Sequence, residues 1–520
     1  MYVHGVQKLT GPLVLLIMDG VGSFKPYKGN AVALANTPVL EKLWDTFPTA
    51  LLHASSTYVG LPEKVKGNSE VGHMNIAAGK VVLQDLPRIN KSIVEKDFFK
   101  NKVLREVVEY VGRNKSAIHI MGCFSDGQVH SDIKHLFAML LFFKIYGVNQ
   151  PIFVHAFTDG RDAEPRSALQ YFLQYTEFVR KYKIDNARIS TIIGRRYAMD
   201  RNRQWDYTKK AYDLLTQHKG RKVESWTKAL EIAYQEVDSD EFFPPFVIDF
   251  EGNRPVQKGD VLISFNYRAD RMIQLTEAFV EENFDKFERV LNPGDVMYVT
   301  LTYYGNKYAG KVRHIFPKIM VGDNLGKVIS DHGLRQLRVA ESVKFPHVTY
   351  FFNGGMNVVY PNEDRLLFQT DATLSFDANP KMQVYKITKG VLDALDKNIY
   401  QFIVVNFANG DMVGHTGNLQ ASIEAMQHVD NCVKAIARKV LQKNGVLIVT
   451  ADHGNVEEVL NPVTFSVDTE HSMYPVPFII VGKGFKHRPP KLGKLADIGV
   501  TVLTLMGIEI PASYDGNLLL

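Results

Sequence analysis

Cysteine is nearly absent from this chain: its 520 residues carry two, Cys123 and Cys432. Two thiols so far apart make no disulfide framework, which excludes a small secreted scaffold and points to a reducing cytosol. Long apolar runs are missing as well. The first run, Leu13 to Met18, stops at Asp19, far short of the roughly 20 residues that span a bilayer. The opening stretch MYVHGVQKLTG has no basic-then-apolar leader pattern, so a soluble cytoplasmic protein without a membrane partner is expected. Charge of one sign is scarce too. Lys plus Arg number 61 against 56 for Asp plus Glu, a net of +5, which excludes the concentrated basic stripe of a nucleic-acid binder. Low-complexity tracts, heptads and short-period repeats do not occur.

What is present is material for large cores: 45% of the residues are hydrophobic, and the length suits two or three domains. Short β-rich apolar runs alternate with longer helix-like stretches, the pattern of an α/β protein with a mainly parallel sheet. The polar residues after each run are informative, because open α/β sheets bind ligands beyond the carboxyl ends of their strands. Leu13–Met18 runs into Asp19-Gly20, Phe402–Phe407 into Asp411 and His415, and Val446–Thr450 into Asp452-His453-Gly454-Asn455. In the middle of the chain, Ala117–Met121 leads to Ser125-Asp126-Gly127 and His130, and Ile152–Phe157 to Asp159-Gly160-Arg161-Asp162. There too, Arg188–Ile193 leads to Arg195, Arg196 and Arg201, and Val261–Phe265 to Arg268 and Arg271. One set of strand ends suits cations and the other anions. This split predicts two domains, the arginine-bearing one inserted into the acid-bearing one, from near Val82–Pro87 to near Val312–Val321.

Asp411 and His415 fall on one face if their stretch is helical. With Asp19, Asp452, His453 and His471 they make three acids and three imidazoles, too many for one ion and about right for two. Such mixed ligation suits Mn²⁺, with Zn²⁺ and Co²⁺ as alternatives. Each residue alone reads equally well as a structural hydrogen-bonding group. Ser69, in Gly67-Asn68-Ser69-Glu70-Val71-Gly72-His73, reads on its own as a helix N-cap. A metal site beside it would activate its hydroxyl and make it the best nucleophile in the chain.

The five arginines Arg161, Arg195, Arg201, Arg268 and Arg271 could bind a small, multiply anionic substrate through bidentate forks. Asp-Gly-Arg-Asp at 159–162 and Arg-Ala-Asp-Arg at 268–271 bring their own carboxylates, so some internal pairing is expected. Asp162 and His130 could orient or deprotonate substrate hydroxyls. Lys344 could contact a phosphoryl group.

These stretches together resemble the cofactor-independent phosphoglycerate mutases, a branch of the alkaline phosphatase superfamily. The resemblance rests on MDGVG at 18–22, GNSEVGHMNIAAGK at 67–80, FSDGQVHSD at 124–132, FTDGRD at 157–162 and GRRYAMDRNRQW at 194–205. It continues through FNYRADR at 265–271, ESVKFPHVTYFFNGG at 341–355, DMVGHTG at 411–417 and ADHGN at 451–455, in the family's order. It implies an alkaline-phosphatase-like metal domain in two segments, 1–85 and 319–520, around a transferase domain at 86–318. It further implies that Asp411, His415 and His471 hold one divalent metal and that Asp19, Ser69, Asp452 and His453 hold another. Mn²⁺ is the expected ion, with Co²⁺ or Mg²⁺ possible. Ser69 would carry the phosphoryl group between 3-phosphoglycerate and 2-phosphoglycerate, a step of glycolysis and gluconeogenesis, without 2,3-bisphosphoglycerate. His130, Arg161, Asp162, Arg195, Arg201, Arg268 and Arg271 would bind the substrate, Lys344 would steady the phosphoryl group, and Asp162 would manage protons. A monomer is implied.

Some positions depart from the family pattern. Val21 stands where tryptophan is common, Gln128 and Asp132 replace a glycine and a histidine, Arg196 a tyrosine, Asn202 an aspartate and Gly410 a proline. Phe345, Pro346 and 468–470 differ as well. None removes an expected ligand. Two other readings stay open: a phosphomonoesterase or sugar-phosphate mutase of the same superfamily, and a non-catalytic phosphometabolite-binding protein.

Overall fold

Leu13–Met18, the first apolar run, becomes a completely buried strand near the middle of an eight-stranded sheet. The computed structural model that shows this describes residues 2–3, 6–7, 10–23 and 25–520. The chain divides into two compact units, one of residues 1–84 and 319–520 and one of residues 85–318.

In the first unit the sheet order is Glu363–Phe368, Gln336–Glu341, Phe402–Phe407, Leu13–Met18, Val446–Thr450, Val476–Gly482, Pro48–His53, Arg488–Lys494. Every pairing is parallel except the two made by Val476–Gly482. The central strands are almost wholly apolar, Asn406 and Thr450 near their carboxyl ends aside, because helices cover both faces of a parallel sheet, leaving no solvent side for polar alternation. Leu15, Val404 and Ile448 are fully buried in register with one another. That register sets Asp19, Asn406 and Asp452 at one edge of the sheet, the edge open to a ligand.

The second unit repeats the plan. Its order is Arg313–His314, Met297–Thr300, Val261–Ser264, Ile118–Cys123, Ile152–Thr158, Ala187–Gly194, Phe246–Ile248, Arg221–Val223. The pairings are parallel except between Ala187–Gly194 and Phe246–Ile248. The expected α/β class with parallel-dominated sheets is what the chain adopts. Cys123 and Cys432 are both buried and free. Among the described residues no helix is long and apolar enough to cross a membrane.

Candidate active site

The helix Ser69–Ala78 begins beside the carboxyl ends of the central strands of the first unit. Its N-cap is Asn68, whose side chain accepts from the Val71 amide at 3.0 Å. Ser69 is therefore not the cap, and its hydroxyl is free for other partners. It donates to Asp19 Oδ1 at 3.1 Å, lies 2.9 Å from His453 Nε2, and accepts from Lys344 Nζ at 2.7 Å. The Lys344 ammonium also reaches Asp19 Oδ1 at 2.7 Å and Asp411 Oδ2 at 2.5 Å. Lys344 ends the Gln336–Glu341 strand region, just before a wide π-helical turn at His347–Phe351, a distortion frequent at functional sites.

Asp411 and His415 do share a helical face, with His415 Nε2 3.2 Å from Asp411 Oδ1. His471 Nε2 lies 3.1 Å from the same oxygen and 3.1 Å from His415 Nε2. All seven expected metal ligands and Lys344 thus gather in this unit. Burial would raise the Asp19 and Asp411 carboxyls, but the Lys344 ammonium and the histidines hydrogen-bonded to them together outweigh it and hold both well below the usual carboxylate range. Burial would likewise depress His453, yet Asp452, Asp19 and Asp411 lift it to about 9.

Two sets of donor atoms converge within 4.8 Å: Asp411, His453 and His471, and Asp19, Asp452 and His453. Asp452 Oδ2 is buried with the His73 ring 3.2 Å away and accepts no well-aligned hydrogen bond among the described residues, and the His415 and His471 rings turn nitrogens toward each other over one carboxylate oxygen. Buried anionic oxygens and facing imidazole lone pairs are unfavourable unless a cation satisfies them. The donor set, three carboxylates with imidazoles and a hydroxyl, fits divalent metal.

In residues 85–318 the second group gathers around two acidic centres. Arg195 Nη1 donates to Asp159 Oδ1 at 2.6 Å and to Asp162 Oδ2 at 2.5 Å, almost wholly buried. Asp270 accepts from Arg201 at 2.7 Å and lies 3.3 Å from both Arg268 Nε and His130 Nδ1. His130 Nε2 is 3.9 Å from Asp162. Arg161 pairs with Glu241 at 3.3 Å and is more than half exposed. Arg271 differs from the others. It makes no ion pair among the described residues, donates only to the Met199 carbonyl at 3.2 Å, and leaves its buried Nε without a partner. Burial and the nearby Arg195, Arg201 and Arg161 guanidiniums push its pKa below the ordinary arginine value.

Comparison with known proteins gives the geometry a family. Residues 11–510 match the model described as the Metalloenzyme superfamily. The chain is 41% identical to the 2,3-bisphosphoglycerate-independent phosphoglycerate mutase of Clostridium beijerinckii, over 97% of this chain and 98% of the other. It is 42% identical to the protein of that name from Clostridioides difficile, over 98% and 99%. The chain belongs to this mutase family. A crystal structure of Leishmania mexicana phosphoglycerate mutase at low cobalt concentration agrees, with a TM-score of 0.61 at 29% identity. It covers 98% of this chain and 97% of that one.

Two pairs of the positions noted as departing from the mutase pattern touch one another, Val21 with Gly410 and Gln128 with Asp132. A Cβ on Gly410 would lie 2.6 Å from the Asp19 carbonyl and 2.9 Å from Val21 Cγ2. Gln128 Nε2 donates to Asp132 Oδ2 at 3.0 Å, and Asp132 caps the helix Ile133–Ile145. Arg196 donates to the Tyr207 hydroxyl at 3.1 Å.

Several residues of these sites do more than their place in the sequence suggests. Asp270 centres the arginine group. Glu457 is buried and ties three loops, accepting from the Gly22 amide at 2.7 Å, the Asn455 amide at 3.0 Å and the Ser472 hydroxyl. His73 and Asn406 lie against the acids. A signal for His73 was available: it follows Ser69 by four residues, one helical turn.

Proposed function

We propose that this chain interconverts 3-phosphoglycerate and 2-phosphoglycerate through a phosphoserine on Ser69, without 2,3-bisphosphoglycerate. The observation carrying this reading is the Ser69 hydroxyl, freed from capping by Asn68 and held by Asp19, His453 and Lys344. In this reading residues 1–84 and 319–520 form the metal domain, and residues 85–318 bind the substrate. Asp411, His415 and His471 would hold one divalent ion, and Asp19, Ser69, Asp452 and His453 another, with Mn²⁺ the favoured metal. Ions bound there would neutralise phosphoryl oxygens and acidify the serine hydroxyl.

The chain's own residues do the rest. Ser69 Oγ forms a bond to phosphorus as the bond to the substrate's 3-oxygen breaks. The glycerate turns, and its 2-oxygen then takes the phosphoryl group from Ser69. Lys344 offsets charge on the transferring group by positioning and electrostatics. The arginines Arg161, Arg195, Arg201, Arg268 and Arg271, with His130, hold carboxylate and phosphoryl oxygens, and Asp162 moves protons on the glycerate hydroxyls. Arg195 supports that role by fixing Asp162 from one side. We place the protein in the cytoplasm as a monomer.

The test is an assay of metal-stripped protein with 3-phosphoglycerate, with and without Mn²⁺, beside Ser69→Ala. We expect 2-phosphoglycerate only with Mn²⁺, and a drop of at least ~1,000-fold in Ser69→Ala. Release of free phosphate with no 2-phosphoglycerate would replace this reading with a phosphomonoesterase. Binding without turnover would replace it with a phosphometabolite-binding protein.

A further inference from the structure

His73 is completely buried one turn after Ser69, and its surroundings fix its chemistry. Nδ1 lies 2.9 Å from the Ser69 carbonyl oxygen and 3.2 Å from Asp452 Oδ2. Both are acceptors, so Nδ1 carries a proton. Nε2 lies 3.0 Å from Asn406 Nδ2, and that same amide nitrogen donates to Asp19 Oδ2 at 2.7 Å. The amide must present N–H to the carboxylate, so Nε2 receives an N–H and carries no proton of its own. Asp452, His73, Asn406 and Asp19 form one chain of contacts across three neighbouring strand ends.

We propose that His73 is a positioning residue that, through Asn406, sets the spacing and orientation of Asp19 and Asp452 as ligands. The inference rests on the two-metal reading above. Two adjacent buried carboxylates repel, and without a spacer each is free to rotate. Asn406 ties up Asp19 Oδ2, which leaves Oδ1 turned to Ser69 and Lys344. Asp452 Oδ1 is held by the Gly20 and His453 amides at 3.3 and 3.1 Å, which leaves Oδ2 beside the imidazole edge. His73 also grips the Ser69 carbonyl, so one ring aligns the hydroxyl-bearing turn with both acids. The close approach needs Gly72, where a Cβ would stand 2.6 Å from the Asp452 carbonyl oxygen. Such outer groups fix ligand rotamers, and losing one commonly weakens metal binding 10- to 100-fold.

The experiment titrates Mn²⁺ into metal-stripped full-length protein and follows free and bound ion by electron paramagnetic resonance. Wild type, His73→Leu, His73→Asn and Asn406→Ala are compared. In His73→Leu we expect one of two Mn²⁺ equivalents to weaken about 10- to 100-fold, with an altered bound-ion line shape. His73→Asn keeps a donor near Nδ1 and should recover part of the loss. kcat should fall while KM for 3-phosphoglycerate stays within about twofold. If His73→Leu does not fold, Asn406→Ala carries the test, because it cuts the link to Asp19 alone and should weaken the same equivalent. Wild-type affinity and line shape in either variant would overturn the positioning role. Failure of wild type to bind Mn²⁺ at all would instead overturn the two-metal reading, and this inference with it.

Discussion

The two sheets place charge at their strand ends in opposite ways. In residues 1–84 and 319–520, two of three buried acids, Asp19 and Asp411, share one ammonium, and among the described residues Asp452 Oδ2 is left without a hydrogen bond. In residues 85–318, the cations bring their own anions: Arg195 is met by Asp159 and Asp162, and Arg201 and Arg268 by Asp270. The first arrangement is incomplete without added positive charge. The second is nearly balanced, and among the described residues only Arg271 of its five arginines has no carboxylate partner. A cluster of arginines is therefore a poor guide to which of them takes hold of a ligand, and the pairing pattern is a better one.

The contrast extends to acid. Burial holds five histidines of residues 85–318 below the ordinary histidine value, His119, His135, His155, His218 and His314, with His135 and His218 at about 4, against two of the other unit, His53 and His347, the latter also at about 4. Below pH 6.5 the unfolded chain takes up protons that these folded rings refuse, so stability present above 6.5 is lost as pH falls toward 4. For His135 alone, a fall from 6.5 to about 4 corresponds to roughly 3 kcal/mol. Hydrogen exchange on the full chain between pH 7 and 4.5, corrected for intrinsic rates, should show Ile118–Cys123 losing protection before Phe402–Phe407. Equal loss in both strands would erase the contrast.

Substitution of Arg271 should come next in size. Removing its uncommitted guanidinium is expected to lower kcat/KM about 30-fold, near 2 kcal/mol, chiefly through KM. Arg161→Ala, with an exposed and already paired side chain, should cost less than about threefold. Steady-state kinetics decide it, and equal effects would show that internal pairing does not govern which arginine binds. Mn²⁺ affinity should stay unchanged in both variants. The smallest effect is structural. Asp132→Ala removes the cap on Ile133–Ile145 and should cost about 1 kcal/mol in denaturant melts, again with Mn²⁺ binding intact.

Much of this was legible in the chain. Leu13–Met18, Phe402–Phe407 and Val446–Thr450 read as buried parallel strands because they are continuous apolar runs, and they begin and end in the structure where the runs do. The polar residues that follow them marked where chemistry should gather. What the linear order hides is partnership. Ser69 looked like a cap, but the adjacent Asn68 has the extended backbone that capping requires. Asp270 looked like a local partner for its neighbouring arginines, and it also holds His130 and Arg201 from other strand ends. Asn406 looked like one polar residue in an apolar strand, and its role exists only once Asp19 and His73 lie beside it.

The Gly20 amide donates to Asp452 across 432 residues of chain. Leu13–Met18 lies between Phe402–Phe407 and Val446–Thr450, so on the ribosome it emerges long before either neighbour exists. At roughly 5–20 residues per second, that apolar strand waits on the order of 20–90 s for its neighbours. Residues 85–318 are complete well before then and can fold in the interval. The cluster of acids and histidines is therefore among the last parts of the molecule to assemble during synthesis, and a truncated product lacking the final seventy residues would lose Asp452, His453 and His471 and leave one side of Val446–Thr450 without its partner Val476–Gly482.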